Sequence, residues 1–433
     1  MGAFLQRRWR LLLGLAVALA VVNGVVNFVI RPLIGGLGRY EDFQAYWEAA
    51  RWLLTGHALY APQAIDVSVV FDHFLYPPFA AVVVAPFGLL PHAAAQILWL
   101  WLEATALGAG MWFLLDEFLP AGWPRRQLTV VATLAFFPAT YNLFLGQINC
   151  VLFLCMVLGM RWLRREHDTR AGMILGFAAA IKLAPIVMLV VLVGRRRWGA
   201  SAAMAATAAA CSLSAVFVVG WQTTWMWVTA VLPLLGRPNG WVYNQTLNGV
   251  WSRFFDHSVL AFSPDALWLR AGIACSGVAV LAGLYALARR TSRLDIRDAY
   301  AMGIGAMLVA GTIAWYSHYV SASIVLVAAA AWAIKQGQYA VIAAVFVEAL
   351  ILEVLIPWMT VATTTSGLAM VSGTPWYWAL LQIWSLPTIA LVTVMGAYGV
   401  GLWRQASVGR SGAVARATKD LADIRGATPV RAH

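Results

Sequence analysis

Residues 195–220 read RRRWGASAAMAATAAACSLSAVFVVG, and from Trp198 to Gly220 there is no charged side chain. A helix needs roughly 20 apolar residues to cross the hydrocarbon core of a bilayer. The three arginines ahead of the run are the flank expected on the cytoplasmic side of a span. Similar runs lie near 11–30, 93–118, 127–140, 147–163, 267–289, 298–314, 317–334, 338–357 and 376–403. Lipid excludes open sheet edges, so the pattern predicts an all-α polytopic membrane protein.

Composition agrees. Of 433 residues, 62% are hydrophobic and 11% charged, whereas soluble domains carry about 25% charged residues. A chain of this length cannot hide that much apolar surface from water, so the excess must face lipid. The 22 Trp suit the membrane–water boundary. The net charge of +12 sits in short basic clusters between apolar runs, a topology signal and not a nucleic-acid surface. Cys150, Cys155, Cys211 and Cys275 all lie within apolar stretches and lack metal-ligand spacing, so neither a zinc site nor a disulfide framework is indicated. The run 11–30 is about 20 residues long and follows Arg7, Arg8 and Arg10, so it reads as a retained first span.

Two apolar stretches break the pattern. Residues 77–90 are bracketed by Pro77, Pro78, Pro86 and Pro91, and residues 171–194 are interrupted by Lys182 and Pro185 with Arg at both ends. Each reads as a re-entrant or half-helix, which membranes tolerate where protein or a cavity surrounds it. With the N-terminus in the cytoplasm, ten crossings and two returns, 23 of the 30 Lys and Arg fall on the cytoplasmic side. Only Arg31, Arg39, Arg51, Arg237, Arg253 and Arg270 fall outside, and Lys182 lies within the membrane. The expected organisation is a single transmembrane domain over 1–403, with outer loops at 31–76 and 221–266. A basic, disordered cytoplasmic tail follows over 404–433. Within the first loop, EDFQAYWEAARWLLTG places Phe43, Tyr46, Trp47, Leu53 and Leu54 as an apolar face, a helix on the membrane surface stopped at Gly56. No repeat of fixed period is visible, which argues against a transporter built from repeated halves.

The unusual polar residues gather on the outer side of this layout. Asp42 is placed either to deprotonate an acceptor hydroxyl or to satisfy the N–H groups of a helix start. Tyr76-Pro77-Pro78-Phe79 is a rigid entry into a short helix. The amides of Asn142, Gln147 and Asn149 either bind sugar hydroxyls or satisfy a turn at Gly146. Lys182, followed by Leu-Ala-Pro, puts an ammonium where insertion costs about 2.5–3.5 kcal/mol. It is a phosphate ligand, a snorkelling side chain, or a partner for Glu103, Glu348 or Glu353. Asn244, Gln245, Asn248 and Arg253 either present amides and a guanidinium fork to one ligand or form a solvated loop. Trp315 and His318 either meet the ligand or belong to an interfacial belt. Nucleotide-binding and nucleophile-elbow fingerprints are missing.

The ordered set resembles glycosyltransferase family eighty-seven. It comprises Asp42-Phe43 with Tyr46 and Ala49-Ala50, Leu53-x-x-Gly56-x-x-Leu59-Tyr60, Tyr76-Pro77-Pro78-Phe79 with Pro86 and Leu90-Pro91, and Gly146-Gln147-x-Asn149. Gly176-x-x-x-Ala180-x-Lys182-x-x-Pro185 with its Arg195–Trp198 stop, Asn244-Gln245 before Arg253, and Trp315-x-x-His318 complete it. The resemblance implies a GT-C type fold of about 10–12 transmembrane or re-entrant helices in a bacterial inner membrane, with the active site facing the periplasm or cell exterior. It implies transfer of a sugar, mannose before arabinofuranose, from a polyprenyl-phosphate donor to a lipid or glycan acceptor, with inversion. By position, Asp42 would be the base, and Lys182, Arg253 and His318 would hold the donor phosphate. Relatives often carry two adjacent histidines where this chain has His318-Tyr319. Tyr76, Gln147, Asn149, Asn244, Gln245 and Trp315 would contact substrate. No cofactor or metal is expected, since the first outer loop lacks an Asp-x-Asp pair, and no nucleic-acid partner is expected; the oligomeric state stays open. A transporter or flippase for lipid-linked sugars is the alternative from another class.

Overall fold

A computed structural model of the chain describes residues 13–22, 25, 41–60, 74–256, 266–357 and 382–426. Among them the regular structure is helical throughout, with no strand. In chain order the main helices are α1 (Leu13–Val22), α2 (Glu41–Thr55), α3 (Pro78–Val84), α4 (His92–Phe118), α5 (Arg125–Ala135), α6 (Phe137–Leu145), α7 (Asn149–Arg164) and α8 (Asp168–Ile181). There follow α9 (Met188–Gly194), α10 (Trp198–Val219), α11 (Leu267–Arg290), α12 (Ile296–Ala310), α13 (Ala322–Gln336), α14 (Tyr339–Leu350) and α15 (Leu386–Gly426). Shorter helical segments, each with a π-helical turn, occupy 221–235 and 247–256.

Among the described residues, five helical segments are long and apolar enough to span a bilayer: α4, α10, α11, Tyr316–Gln336 and Leu386–Val408. The pair α5 and α6, bent by 54°, makes a sixth. This is fewer than the ten runs in the sequence. Helix α12, at 15 residues, is too short to count among the spans, and its Tyr300, Ile304, Leu308 and their neighbours are buried in protein. A helix apolar on every side is either a span or a core element, and composition cannot separate them.

The two broken stretches do turn back. Asp168, at the start of α8, forms an ion pair at 3.2 Å with Arg197, just ahead of α10, so 171–194 leaves the same end of the molecule that it enters. Its apex is Lys182, whose backbone is extended (φ −144°, ψ 124°) and ends α8. Pro185 excludes a continuous helix there. Both ends of 76–90 likewise meet adjacent turns of α2: the Tyr76 ring lies 5.0 Å from that of Tyr46, and Trp47 donates to the Leu90 carbonyl at 3.1 Å. Helix α2 therefore packs on protein and does not simply rest on a membrane surface. Phe43, Tyr46, Ala49 and Ala50 are fully buried, and Gly56 ends the helix region with φ +73°.

The turning-back of α8 depends on two glycines that periodicity alone did not mark. A Cβ on Gly172 would fall onto the Ala200 carbonyl, and one on Gly176 onto the Met204 carbonyl. These residues, four apart, let α8 and α10 touch backbone to backbone, as small residues do between membrane helices. Replacing Gly176 by Leu is expected to cost about 1–3 kcal/mol by overpacking and to lower the thermal unfolding midpoint in detergent.

The basic clusters collect at one end. Glu117, with 1% of its side chain exposed, pairs with Arg161 (3.1 Å), Arg164 (2.5 Å) and Arg165 (2.9 Å), while Asp116 pairs with Arg161 (2.8 Å) and Arg125. Arg195 donates to the Thr291 and Leu294 carbonyls, each at 2.6 Å. The ends of α4, α7, α9 and α11 and the starts of α5, α8 and α10 thus meet on one basic face. That grouping follows the charge asymmetry of the sequence. The helix α15 continues past Arg404 to Gly426.

Candidate active site

At the opposite end lies a cavity of about 300 Å³, a size in the range of small-ligand sites. Asp42, Tyr76, Gln147, Lys182, Trp315 and His318 line its polar part. Leu183, Ile186 and Val187 after Lys182, then Trp227, Leu232 and Leu235, and Met307 and Ala310 on α12 line the rest. Leu183 and Ile186 are 43% and 37% exposed, so the apolar arm opens sideways, where lipid would lie.

Each polar group arrives by a different route. Asp42 is in the first turn of α2, where the helix dipole favours a carboxylate. Its charge acts on Tyr46, Tyr76 and Lys182. Tyr76 donates to Gln147 Oε1 at 3.1 Å. Burial raises the Tyr76 hydroxyl well above its ordinary value and the Asp42 carboxylate pushes the same way, so it stays a protonated donor. Lys182 is held by Asn149 Oδ1 at 2.9 Å and lies 5.2 Å from the centre of the Tyr76 ring. His318 Nδ1 accepts from the Trp315 backbone N–H at 3.0 Å. An accepting Nδ1 makes the ring neutral and assigns its proton to Nε2. Asn149 also lines a small adjoining hollow with Lys182 and His318.

Three of the expected ligand residues lie elsewhere. Arg253 is fully buried and is not on the cavity. Its Nη1 donates to the Trp241 and Asn244 carbonyls at 3.0 Å each, and its Nε to Ser385 Oγ at 3.1 Å. Asn244 donates to the Asn239 carbonyl at 3.0 Å and accepts from the Ala314 N–H at 3.2 Å. Gln245 donates to the Trp384 carbonyl at 2.8 Å and accepts from Thr388 at 3.1 Å. These side chains bond to buried backbone and side-chain groups of their own chain, while Arg253 Nη2 is buried without a hydrogen-bond partner among the described residues. The spacing of Asn244 and Asn248 does not place them on one helix either, since the helix starts at Leu247 with Thr246 as its N-cap. The knot they form braces residues 312–319, which carry Trp315 and His318. Sequence reasoning also missed Trp227, Leu183 and Ile186 as wall residues, because an apolar residue facing a cavity looks like one facing lipid.

Residues 74–312 of the chain match the family described as Glycosyltransferase family 87. The chain belongs to glycosyltransferase family 87. It is 30% identical over 315 residues to the polyprenol-phosphate-mannose-dependent alpha-(1-2)-phosphatidylinositol pentamannoside mannosyltransferase of Mycolicibacterium smegmatis, covering 71% of this chain and 73% of that protein. A polyprenol-phosphate-mannose-dependent alpha-(1-2)-phosphatidylinositol mannoside mannosyltransferase of the same organism is 30% identical over 370 residues, 79% of this chain and 77% of the relative. An alpha-(1->3)-arabinofuranosyltransferase of Mycobacterium tuberculosis is 28% identical over 169 residues, 37% of each chain. No solved structure matches. This family 87 protein is thus a multi-pass membrane glycosyltransferase, and its cavity is the candidate active site.

Proposed function

We propose that this glycosyltransferase moves a sugar, mannose first, from a polyprenyl-phosphate donor to a lipid or glycan acceptor on the non-cytoplasmic face of the bacterial inner membrane. The observation that carries the reading is the division of one cavity into a polar end, with Asp42, Lys182 and His318, and an apolar arm open beside Leu183 and Ile186. A ligand with a charged sugar-phosphate head and a long hydrocarbon tail fits both parts at once. Mannose is supported by the mannosyltransferase relatives that cover most of the chain, and arabinofuranose by relatives that cover a shorter part.

The chemistry is a single inverting displacement. Asp42 takes the proton of an acceptor hydroxyl as that oxygen attacks the anomeric carbon. The bond from that carbon to the phosphate oxygen breaks, and polyprenyl phosphate leaves with the electron pair. Lys182 supplies positive charge to the leaving phosphate, and neutral His318 donates from Nε2. Tyr76, Gln147 and Trp315 border the sugar, and Asn149 holds Lys182. Arg253, Asn244 and Gln245 serve as the brace behind Trp315 and His318. The basic face, opposite the cavity, supports a periplasmic or exterior site through the positive-inside rule.

The test is direct transfer from synthetic polyprenyl-phosphate mannose by purified protein in detergent. Transfer with release of polyprenyl phosphate is the expected result. Accessibility labelling that puts residue 42 on the cytosolic side would reject the face, and donor movement across vesicles without transfer would favour a flippase.

A further inference from the structure

Behind Lys182 a line of buried polar side chains runs away from the cavity to a carboxyl group that takes no part in the displacement above. Glu103, in the middle of α4, is fully buried. Its Oε2 accepts from Asn142 Nδ2 at 3.2 Å and from the Cys150 backbone N–H at 3.0 Å. Asn142 and Asn149 are buried too, at 0% and 4% exposure. Asn149 Nδ2 donates to Asn142 Oδ1 at 3.0 Å and to Gln147 Oε1 at 3.1 Å. Asn149 Oδ1 then accepts from Lys182 Nζ at 2.9 Å.

The order of these bonds has only one sense. The partners of Asn142 Nδ2 are the Glu103 oxygen, the Gln147 carbonyl at 2.8 Å and the Cys150 sulfur at 3.0 Å. Turning that amide round would set its oxygen against a carbonyl and a carboxyl oxygen, which cannot both donate. Asn142 Oδ1 must therefore face Asn149, so Asn149 must present its NH₂ to it. Only then does the Asn149 oxygen point at the ammonium. We infer that Glu103 is a positioning residue: through Asn142 and Asn149 it fixes an acceptor oxygen that aims Lys182 at the phosphate of the donor. The same carboxyl oxygen caps the first turn of α7, so one group anchors both the amide line and the helix that carries Asn149.

Buried polar networks act as units, and only a double-mutant cycle separates action through a partner from independent support. This inference rests on the reading of Lys182 as the phosphate ligand. The experiment measures kcat and KM for polyprenyl-phosphate mannose in wild type, Glu103→Leu, Lys182→Met and the double variant, with thermal unfolding of each in detergent. Expected is a rise in donor KM of tenfold or more for Glu103→Leu, with little further rise when it is added to Lys182→Met. Glu103→Gln, whose amide oxygen still accepts from Asn142 and Cys150, is expected to recover most of the donor affinity. Should Glu103→Leu fail to fold, Asn149→Leu, which interrupts the line next to Lys182, takes its place in the same cycle. Full multiplication of the two single effects would overturn the positioning role while leaving Lys182 in place. An unchanged KM in Lys182→Met alone would instead reject the phosphate reading on which the inference stands.

Discussion

Replacing Asp42 by Asn is expected to lower kcat for sugar transfer by about two to four orders of magnitude, the range that a positioned general base contributes. The substitution keeps the size of the side chain and its place in the first turn of α2, so the unfolding midpoint should hardly move. Donor KM should also change little, because the proposed mechanism assigns Lys182 and His318 to the phosphate and Asp42 to the acceptor. Initial rates at saturating donor and acceptor, with a binding measurement for labelled donor, check this. Near-normal turnover in the Asn variant would remove Asp42 as the base and leave the cavity a binding site without its proton acceptor. A large rise in donor KM with normal kcat would say instead that the carboxylate orders Lys182, the charge it faces.

The second large effect separates two cations that look alike in the sequence. Arg253→Met takes the donor away from the buried Trp241 and Asn244 carbonyls and from Ser385. Hydrogen bonds from a charged donor are worth about 1.5–3 kcal/mol each, and stranded buried acceptors add to the cost. The expected result is a loss on the order of 3 kcal/mol or more, seen as a marked fall in the unfolding midpoint and in yield of monodisperse protein. The protein that survives should bind donor with nearly the wild-type KM. Lys182→Met should do the reverse, with donor affinity lost and the midpoint little changed. A stable Arg253→Met with greatly raised donor KM would return the guanidinium to the phosphate site.

The different fates of Lys182 and Arg253 show where sequence reasoning reaches its limit. Fold class was legible because desolvation of backbone groups leaves so few solutions in lipid, and the stretch 195–220 is enough to invoke it. The returns at 77–90 and 171–194 were legible because proline and a lone charge interrupt an apolar run in a way no through-going helix permits. Asp42, Tyr76, Gln147, Lys182, Trp315 and His318 were legible as a group, and they do line one cavity. Arg253, Asn244 and Gln245 lie off that cavity, because a polar side chain in an outer loop has two possible customers, a ligand and the chain's own backbone. Only the folded path shows that Trp241, Asn244, Ala314 and Trp384 offer backbone groups to these side chains. Glu103 was visible as an intramembrane charge, but its reach to Lys182 runs through two amides on other elements, and spacing cannot reveal that. Helix α12 marks a related limit: it is as apolar as a lipid-facing helix, yet its neighbours are protein.

The hairpin made by α8 and α9 also decides on which side of the membrane everything after it is built. A stretch that goes halfway and returns adds nothing to the tally of crossings. If Leu replaced both Lys182 and Pro185, the run from Ala171 to Gly194 would be long and greasy enough for the translocation machinery to thread it straight through. Every later helix would then be inserted upside down. The turn bearing Trp315 and His318 would emerge on the face opposite Asp42, and the two halves of the cavity would be stranded on either side of the bilayer. Lysine and proline at the apex are therefore expected to matter during biosynthesis as well, as the point where the chain is told to go back.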